Sequence, residues 1–328
     1  MLRSMTAADP ARMQAALAGL RRYQEAEREP QPAPMPALAE AHGAALRDYG
    51  GDGPALLFVP SLINPPNILD MGDRSLLRWL AKRGRRVLLL DWGWPGPDRR
   101  EMDVAGHVER ILLPLMHTFG HPVDLVGYCL GGTMALAAAG PGGARSIATI
   151  AAPWHFNGFP DDARERLAAL WAGAQPTAHM LGLLPMEVLQ SAFWSLDPAR
   201  TVAKFEAFSG LSGAEARTFV KLEDWANDGP PLSEAAAREM FDTLFAADAS
   251  GSGGWTVAGT RVDPAALDMP LLNIVSTTDR IVPHATAARA GERLNLALGH
   301  VGMVVGSRAP RTLWLPLAGW LSRTAASC

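Results

Sequence analysis

The sequence predicts a doubly wound α/β fold, a mostly parallel sheet with a helical cap inserted between two of its strands. Short, continuous apolar runs alternate along the chain with segments of helical periodicity. Such runs are typical of parallel strands that are buried on both faces of a sheet. Between residues 152 and 271 the alternation stops, and a structureless loop of that length is implausible in a compact domain. This segment is rich in aromatic residues and is therefore predicted to be the cap.

Five apolar runs predict the strands of the sheet. They cover residues 56–59, 87–91, 123–127, 147–150 and 271–275. Apolar residues at three- and four-residue spacings predict the helices between and after these strands. The helices cover residues 73–83, 104–119, 133–139 and 311–323. The first of them has Asp73 at its start, a side chain suited to capping a helix.

The N-terminal region differs from the rest of the chain. Residues 8–28 have helical spacing, and the alternating prolines at 30–36 favour an extended linker. The helix either docks on the same domain or serves as an arm for a partner. The predicted parts are an N-terminal helix with a Pro-rich linker (residues 1–40), an α/β core (residues 41–152 and 267–328) and an aromatic-rich cap (residues 153–266). Within the cap, the Gly/Ser stretch at residues 250–254 predicts a flexible loop or turn.

Composition and charge exclude several classes of protein. The net charge is −3 and 48% of residues are hydrophobic, an ordinary globular balance without the basic surplus of nucleic-acid binders. No apolar run is long enough for a transmembrane segment, and the first ten residues lack a signal peptide, so we expect a cytoplasmic protein. Cys129 and Cys328 are the only cysteines, too few for a disulfide framework or a cysteine-rich zinc site. Cys328 is interpreted as exposed and incidental.

Cofactor signatures are also missing from the sequence. There is no H-E-x-x-H or C-x-x-C motif, and the histidines are scattered, so no metal site is predicted. No G-x-G-x-x-G fingerprint follows the early strands, so neither a nicotinamide nor a flavin cofactor is expected.

Residues 127–131, Gly-Tyr-Cys-Leu-Gly, lie between the third predicted strand and a helix. They fit the nucleophile elbow, in which the reactive side chain occupies a strained turn and glycines avoid collisions with neighbouring elements. The turn places Cys129 at the carboxyl edge of the sheet, and the dipole of the following helix favours its thiolate. The structural alternative is a small buried cysteine at a tight turn.

Two further residues follow in a suitable order. Asp279 comes just after the fifth predicted strand, and His300 precedes the final helix. The order nucleophile, acid, histidine is that of α/β hydrolases. His155 and His284 are near strand ends and are weaker candidates for lining a pocket.

The sequence resembles polyhydroxyalkanoate synthases, most closely the short catalytic subunit of the two-subunit type. The resemblance extends from about residue 44 to the C-terminus. The matching motifs are a strand-to-loop signature (residues 59–70), an Asp-Trp-Gly turn (89–95), the cysteine elbow (126–132), a turn after the fourth strand (152–156) and an acidic tryptophan motif (222–228).

The resemblance implies an α/β-hydrolase fold and an acyltransferase that polymerises 3-hydroxyacyl-CoA, with CoA thioester as substrate and no cofactor. It implies that Cys129 holds the growing chain and that His300 is the general base. Asp279 would orient His300 or activate the incoming hydroxyl. The backbone N–H groups of Leu130 and Ile63 would form the oxyanion hole.

The resemblance also implies partners. The short N-terminus matches synthases that work with an accessory subunit, at the surface of a polyester granule, and it leaves a homodimer open. Two departures from the family pattern stand out: Arg280 occupies a position where family members usually have histidine, and Pro65-Pro66 stiffens the proposed oxyanion loop.

Two alternative functions stay open. The same three residues would serve a thiol-dependent hydrolase, such as a thioesterase or an intracellular polyester depolymerase, if water reached the acyl-cysteine. Arg280 keeps open a third interpretation, a weakly active scaffold that binds granules or regulates a true synthase.

Overall fold

The structure is a computed structural model that describes residues 2–30, 32–196 and 198–326. Cys328 therefore lies outside the described residues. Within them, eight strands form one sheet in the order β1-β2-β4-β3-β5-β6-β7-β8. The strands are β1 (Ala37–Ala41), β2 (Ala44–Asp48), β3 (Ala55–Val59), β4 (Arg86–Asp91), β5 (Asp124–Tyr128), β6 (Ser146–Ile150), β7 (Leu271–Ser276) and β8 (Glu292–Leu296). Strand β2 pairs antiparallel with β1 and β4, and the other pairings are parallel.

Helices connect these strands and flank the sheet. The α-helices are α1 (Leu2–Met5), α2 (Pro10–Glu25), α3 (Leu76–Ala81), α4 (Val104–His107), α5 (Leu113–His117), α6 (Leu130–Ala139), α7 (Asp161–Leu181), α8 (Met186–Leu196), α9 (Pro198–Phe208), α10 (Gly213–Asn227), α11 (Glu234–Arg238), α12 (Ala249–Ser252), α13 (Gly302–Val305) and α14 (Leu315–Ala326). Three π-helical segments adjoin them: Val108–Leu112, Glu239–Ala246 and Pro310–Trp314. Helices α7 to α12 all lie in the connection between β6 and β7.

The predicted fold class is confirmed, and each of the five predicted strands is present. Every residue of β3, β5, β6 and β7 is buried, which explains why these strands are continuous apolar runs. The sequence analysis missed β1, β2 and β8. Strand β8 is mostly exposed and mixes charged with apolar residues, so it lacks the signal of a buried strand.

Three local predictions differ from the structure. Asp73 does not cap α3. It lies in the tight turn between Asp70–Met71 and Arg74–Ser75, and the hydroxyl of Ser75 caps the helix by accepting from the N–H of Arg78 at 3.0 Å.

The helix predicted over residues 104–119 is interrupted by a π-helical segment. The Gly/Ser stretch, predicted as a flexible loop or turn, is divided: residues 250–252 belong to α12, and residues 253–254 form the turn that follows it. Ser250 in that helix is buried, and its hydroxyl donates to the carbonyl of Trp154 at 2.5 Å, which anchors the turn.

Contacts divide the chain into two compact units. The first comprises residues 1–33 and 186–229, and the second comprises residues 34–185 and 230–328. The segment predicted as the cap, residues 153–266, is thus shared between the units, and the N-terminal helix joins helices from that segment.

Helix α2 packs on α9 within the first unit. The ring of Tyr23 contacts the rings of Phe205 and Phe219, and its hydroxyl donates to Asp224 at 2.7 Å. Phe219 in turn stacks on Phe208 at 4.2 Å between ring centroids. Phe205 and Phe208 are buried, and Tyr23 and Phe219 are half-buried, so the N-terminal helix docks on helices of the first unit rather than projecting as an arm.

The second unit holds the sheet and its own aromatic cluster. The rings of Trp171 and Phe241 stack at 5.2 Å between centroids, and Trp154 contacts Trp255 edge-on. These side chains are buried, so most of the aromatic residues that marked the predicted cap are interior packing. No helix of the described residues has the length and apolar character needed to cross a bilayer.

Candidate active site

The turn between β5 and α6 holds Cys129 in a strained backbone conformation. Its φ is +55° and its ψ is −133°, outside the regions that a side chain with a β-carbon usually adopts. Two hydrogen bonds hold the turn. The N–H of Cys129 donates to Ile150 at 2.9 Å, and its carbonyl accepts from Gly132 at 2.8 Å. Cys129 as a residue is half-buried.

Three glycines make room for this turn. A β-carbon on Gly127 would lie 2.3 Å from the Cα of Gly132, and one on Gly131 would lie 2.2 Å from the carbonyl oxygen of Val59. A β-carbon on Gly132 would lie 2.3 Å from the side chain of Ala152. The steric reason for glycine at these positions is therefore confirmed.

Asp279 and His300 lie together at the carboxyl edge of the sheet, where β7 and β8 end. The Nδ1 of His300 donates to Oδ2 of Asp279 at 2.7 Å. The other carboxylate oxygen accepts from the backbone N–H groups of Ile281 and Val282 at 2.8 and 3.1 Å. Both side chains are almost completely buried. Two backbone donors thus orient the carboxylate, which in turn orients the imidazole.

The imidazole of His300 also interacts with the side chain of Cys129, so the three predicted residues lie near one another. Burial by itself would lower the pKa of His300. The negative charges of Asp279 and Cys129, with the hydrogen bonds to both, outweigh burial and raise that pKa to about 10. This arrangement favours the protonated imidazole, the imidazolium, at neutral pH.

The predicted oxyanion donors differ in their surroundings. Leu130 is the first residue of α6, where backbone N–H groups have no acceptor within the helix. The N–H of Ile63 donates to the hydroxyl of Ser61 at 3.2 Å, in a local turn typical of serine. Ile63 is therefore already engaged, and it can donate to an oxyanion only if the Ser61 hydroxyl gives way.

The loop that carries Ser61 and Ile63 is fixed at its first residue. The indole N–H of Trp92 donates to the carbonyl of Pro60 at 2.9 Å, and both groups are buried. This contact explains one role of the Asp-Trp-Gly turn after β4, since Trp92 holds the loop next to Gly131 of the elbow.

The remaining predicted positions lie near the same edge. Arg280 is exposed, whereas the carboxylate of Asp279 beside it is buried. His155 is half-buried, and burial followed by the charge of Arg289 lowers its pKa. Its backbone N–H donates to Thr286 at 2.8 Å, which places it beside the turn that carries His284.

The sequence analysis missed Tyr128, whose ring stacks on the imidazole of His300. Its position directly before the nucleophile was the available signal. No three His, Cys, Asp or Glu side chains in the described part of the chain are grouped so as to hold a metal ion.

The resemblance to polyhydroxyalkanoate synthases is confirmed by comparison with known proteins. The chain is 28% identical to the poly(3-hydroxyalkanoate) polymerase subunit PhaC of Haloferax mediterranei, over 81% of this chain and 58% of that protein. It is also 28% identical to the subunit of the same name from Allochromatium vinosum, over 81% of this chain and 80% of that protein. The chain thus spans little more than half the length of the first relative.

Solved structures show the same fold at low sequence identity. A non-heme bromoperoxidase from Mycobacterium tuberculosis matches with a TM-score of 0.53 at 14% identity, over 90% of this chain and 99% of that one. A monoacylglycerol lipase from Paleococcus ferrophilus matches with a TM-score of 0.51 at 14% identity, over 86% and 99% of the two chains. The profile of the alpha/beta hydrolase fold family matches residues 54–301, about three quarters of the sequence. The chain belongs to the alpha/beta hydrolase fold family.

Proposed function

We propose that this chain is an acyltransferase that polymerises 3-hydroxyacyl-CoA into polyhydroxyalkanoate and releases CoA. One observation carries the proposal: a cysteine, rather than a serine, occupies the elbow and interacts with a histidine that a buried aspartate orients. The similarity to named polymerase subunits over about four fifths of the chain supports the choice of substrate.

In the first step, the thiolate of Cys129 attacks the thioester carbonyl of the substrate. A new carbon–sulfur bond forms, and the carbonyl oxygen becomes an oxyanion to which the N–H of Leu130 can donate. A preorganised donor of this kind contributes about 3 kcal/mol to transition-state stabilisation. The bond to CoA then breaks, and the leaving sulfur takes the proton that His300 holds. The acyl group is now a thioester of Cys129.

In the second step, the 3-hydroxyl group of another hydroxyacyl unit attacks the acyl-cysteine. His300, now neutral, takes the hydroxyl proton as general base. An ester bond forms, the bond to Cys129 breaks, and the thiolate is restored beside the imidazolium. Cysteine suits this cycle because the acyl-enzyme remains a thioester and keeps the activation of the CoA substrate. A serine would form an oxygen ester and lose that activation.

Asp279 acts throughout as the orienting acid. Its carboxylate holds Nδ1 of His300, so the other ring nitrogen faces Cys129. We propose no metal or cofactor for this cycle, since the sequence lacks their signatures and each proton has a named donor and acceptor.

We also propose that the chain works as one subunit of a synthase, with an accessory subunit, at the surface of a polyester granule. The Allochromatium relative is named as a polymerase subunit, which supports an assembly of this kind. A homodimer of the chain is the alternative arrangement.

The test is incubation of the purified chain with 3-hydroxybutyryl-CoA, alone and with an accessory subunit. Released CoA is quantified by chromatography, and the acyl product is separated into polymer and free acid. The proposal predicts CoA release with insoluble polymer, and no release by the Cys129→Ala variant. CoA release with only free hydroxy acid would identify a thiol-dependent hydrolase. No release with substrates of several chain lengths, in the presence of the accessory subunit, would favour the scaffold interpretation.

A further inference from the structure

Tyr128, the last residue of β5, contacts both the ring and the main chain of His300. Its ring stacks on the imidazole at 5.0 Å between centroids, with 30° between the planes. Its hydroxyl donates to the backbone carbonyl of His300 at 3.3 Å. The side chain is buried, with 2% of its surface exposed.

These two contacts restrict motions that the bond to Asp279 leaves free. A single hydrogen bond at Nδ1 fixes one edge of the imidazole but permits the ring to rotate about that bond. A flat aromatic surface against the ring restricts this rotation. The bond to the carbonyl restrains the backbone from which the imidazole projects.

The loop before His300 has one further anchor. The hydroxyl of Ser276 accepts from the N–H of Leu298 at 3.0 Å and donates to the carbonyl of the same residue. Ser276 therefore holds the loop two residues before the base, and Tyr128 holds it at the base itself.

Tyr128 is also covalently joined to the nucleophile. Cys129 follows it in the chain, and the bond from its N–H to Ile150 fixes the backbone that the two residues share. Burial, followed by the negative charges of Cys129 and Asp279, raises the pKa of Tyr128 well above its usual value. Its hydroxyl therefore keeps its proton, and can donate it in a hydrogen bond, throughout the neutral pH range.

We propose that Tyr128 is a positioning residue for the reaction, one that holds the imidazole of His300 in the orientation that faces Cys129. The dipeptide Tyr128-Cys129 then supplies the nucleophile and also orients the imidazole of His300 toward it. The inference rests on the proposed function, because it assigns a role to Tyr128 in that same acyl transfer.

Two variants separate the two contacts. Tyr128→Phe keeps the ring and removes the hydroxyl, whereas Tyr128→Leu removes the stacking surface as well. Both are made in a Cys328→Ser background, so that iodoacetamide labels Cys129 alone. Alkylation at neutral pH, followed by mass spectrometry, reports on the nucleophile–base pair without requiring acyl transfer. CoA release gives kcat and KM.

We expect Tyr128→Leu to lower kcat about 100-fold, the cost of a misplacement of about 1 Å, with KM changed by less than about twofold. Tyr128→Phe is expected to lower kcat about fivefold, because it loses one modest hydrogen bond. Alkylation of Cys129 should slow in the same order. The matched control is the pair Tyr23→Phe and Tyr23→Leu, which alters a partly buried tyrosine of the first unit and should leave both rates unchanged.

Circular dichroism establishes that each variant is folded. If Tyr128→Leu does not fold, the proposal is tested with Tyr128→Phe alone. A kcat of Tyr128→Phe within about 1.5-fold of the wild-type value would overturn the proposal. Unchanged alkylation in folded Tyr128 variants would also overturn it. Failure of the proposed function is a separate result: the wild-type chain would then show rapid alkylation of Cys129 but no release of CoA.

Discussion

At His300, opposing effects of burial and charge set the protonation of the base. A histidine removed from water would ordinarily be neutral at pH 7, because burial penalises its charged form. Here the carboxylate of Asp279 and the sulfur of Cys129 stabilise the imidazolium and raise the pKa to about 10. The surroundings of His300 therefore favour a proton on the resting histidine.

Replacing Asp279 by Asn should reverse this balance. The neutral amide removes the largest contribution that raises the pKa of His300, so burial should bring the pKa well below about 10. In the wild type, the raised pKa contributes stability that is fully present below pH 6.5, the usual value for histidine, and is lost as the pH rises to about 10.

NMR titration of ¹⁵N-labelled histidine measures the pKa directly, with Asp268→Asn as a control on an exposed carboxylate. Urea unfolding at pH 6 and pH 10 measures the linked stability. The wild type should lose more stability over this interval than Asp279→Asn does. An imidazole with the same pKa in both proteins would contradict the charge balance.

The nucleophile gives a second prediction at this scale. Cys129→Ala should lower CoA release by at least about 10³-fold, because loss of a covalent nucleophile removes the whole pathway. Cys328→Ser is the matched control and should retain the activity. The measurement is the rate of CoA formation at saturating substrate. Comparable rates from Cys129→Ala and the wild type would exclude an acyl-cysteine intermediate.

The strand β5 is the element that links the site to the core. Its carboxyl end leads into the elbow, where three glycines pack against neighbouring backbone. Its amino end begins at Asp124, which is completely buried between Arg85 and Arg145. The Nε and Nη of Arg145 donate to the two carboxylate oxygens of Asp124 at 3.0 and 2.6 Å. One strand therefore carries a structural ion cluster at one end and the nucleophile at the other.

Gly131→Ala should destabilise the elbow. The added β-carbon would lie 2.2 Å from the carbonyl oxygen of Val59 and 2.3 Å from that of Pro60, and neither backbone can move without disturbing the sheet. We expect a loss of about 2–4 kcal/mol in the free energy of unfolding.

The control for this variant is Gly173→Ala in α7, where a β-carbon meets nothing within 4 Å. That substitution should stabilise the protein by about 0.5–1 kcal/mol, because alanine favours a helix. Urea denaturation measures both values. Equal effects at the two positions would show that the elbow tolerates a side chain at Gly131.

At the other end of the strand, Asp124→Asn should reduce stability without removing activity. The substitution leaves two arginines beside a neutral amide, and breaking a buried ion pair costs about 3–5 kcal/mol. Burial, and then the charge of Arg145, lower the pKa of Arg85 to about 10, because both disfavour a second buried cation.

Thermal unfolding and CoA release at a temperature where the variant is folded separate the two effects. Asp98→Asn, which alters an exposed carboxylate, serves as the control for stability. A strongly reduced kcat at a temperature where Asp124→Asn is folded would indicate that the ion cluster also acts on the candidate active site.

At the scale of the whole molecule, contacts group segments that are distant in the sequence. Helix α2 belongs with α8, α9 and α10, although more than 150 residues separate them. Tyr23 and Phe219 meet there, as do Arg28 and Asp224. The second unit contains the sheet and the three residues of the candidate site, so its chemistry is built from a single unit.

Phe208→Ala should loosen the first unit selectively. Phe208 is buried, with 1% exposed, and it stacks on Phe219, so truncation removes about 3–5 kcal/mol of packing. Hydrogen-exchange mass spectrometry should show faster exchange in α2, α9 and α10, and unchanged exchange in β3 and β5. Phe241→Ala, in the second unit, should give the opposite pattern. Equal acceleration in both units for either variant would contradict this division.

Local sequence patterns were sufficient to predict the buried strands and the elbow. Four of the five predicted strands are completely buried, so their apolar runs are required by the environment on both faces. The glycines around Cys129 are likewise determined by steric exclusion within a few residues. The positions of Asp279 and His300 followed from chain order, because the carboxyl ends of parallel strands meet at one edge of a sheet.

Only the tertiary structure decided the contacts between residues that are far apart in the chain. It brought Tyr128 against His300, engaged the N–H of Ile63 with Ser61, and docked α2 on α9. It also revealed β8, whose exposed residues carry no periodic signal. The physical reason is the range of the interactions: steric and burial preferences act on neighbouring residues and mark the sequence locally. Stacking, hydrogen bonds between loops and the grouping of helices depend on how distant segments meet.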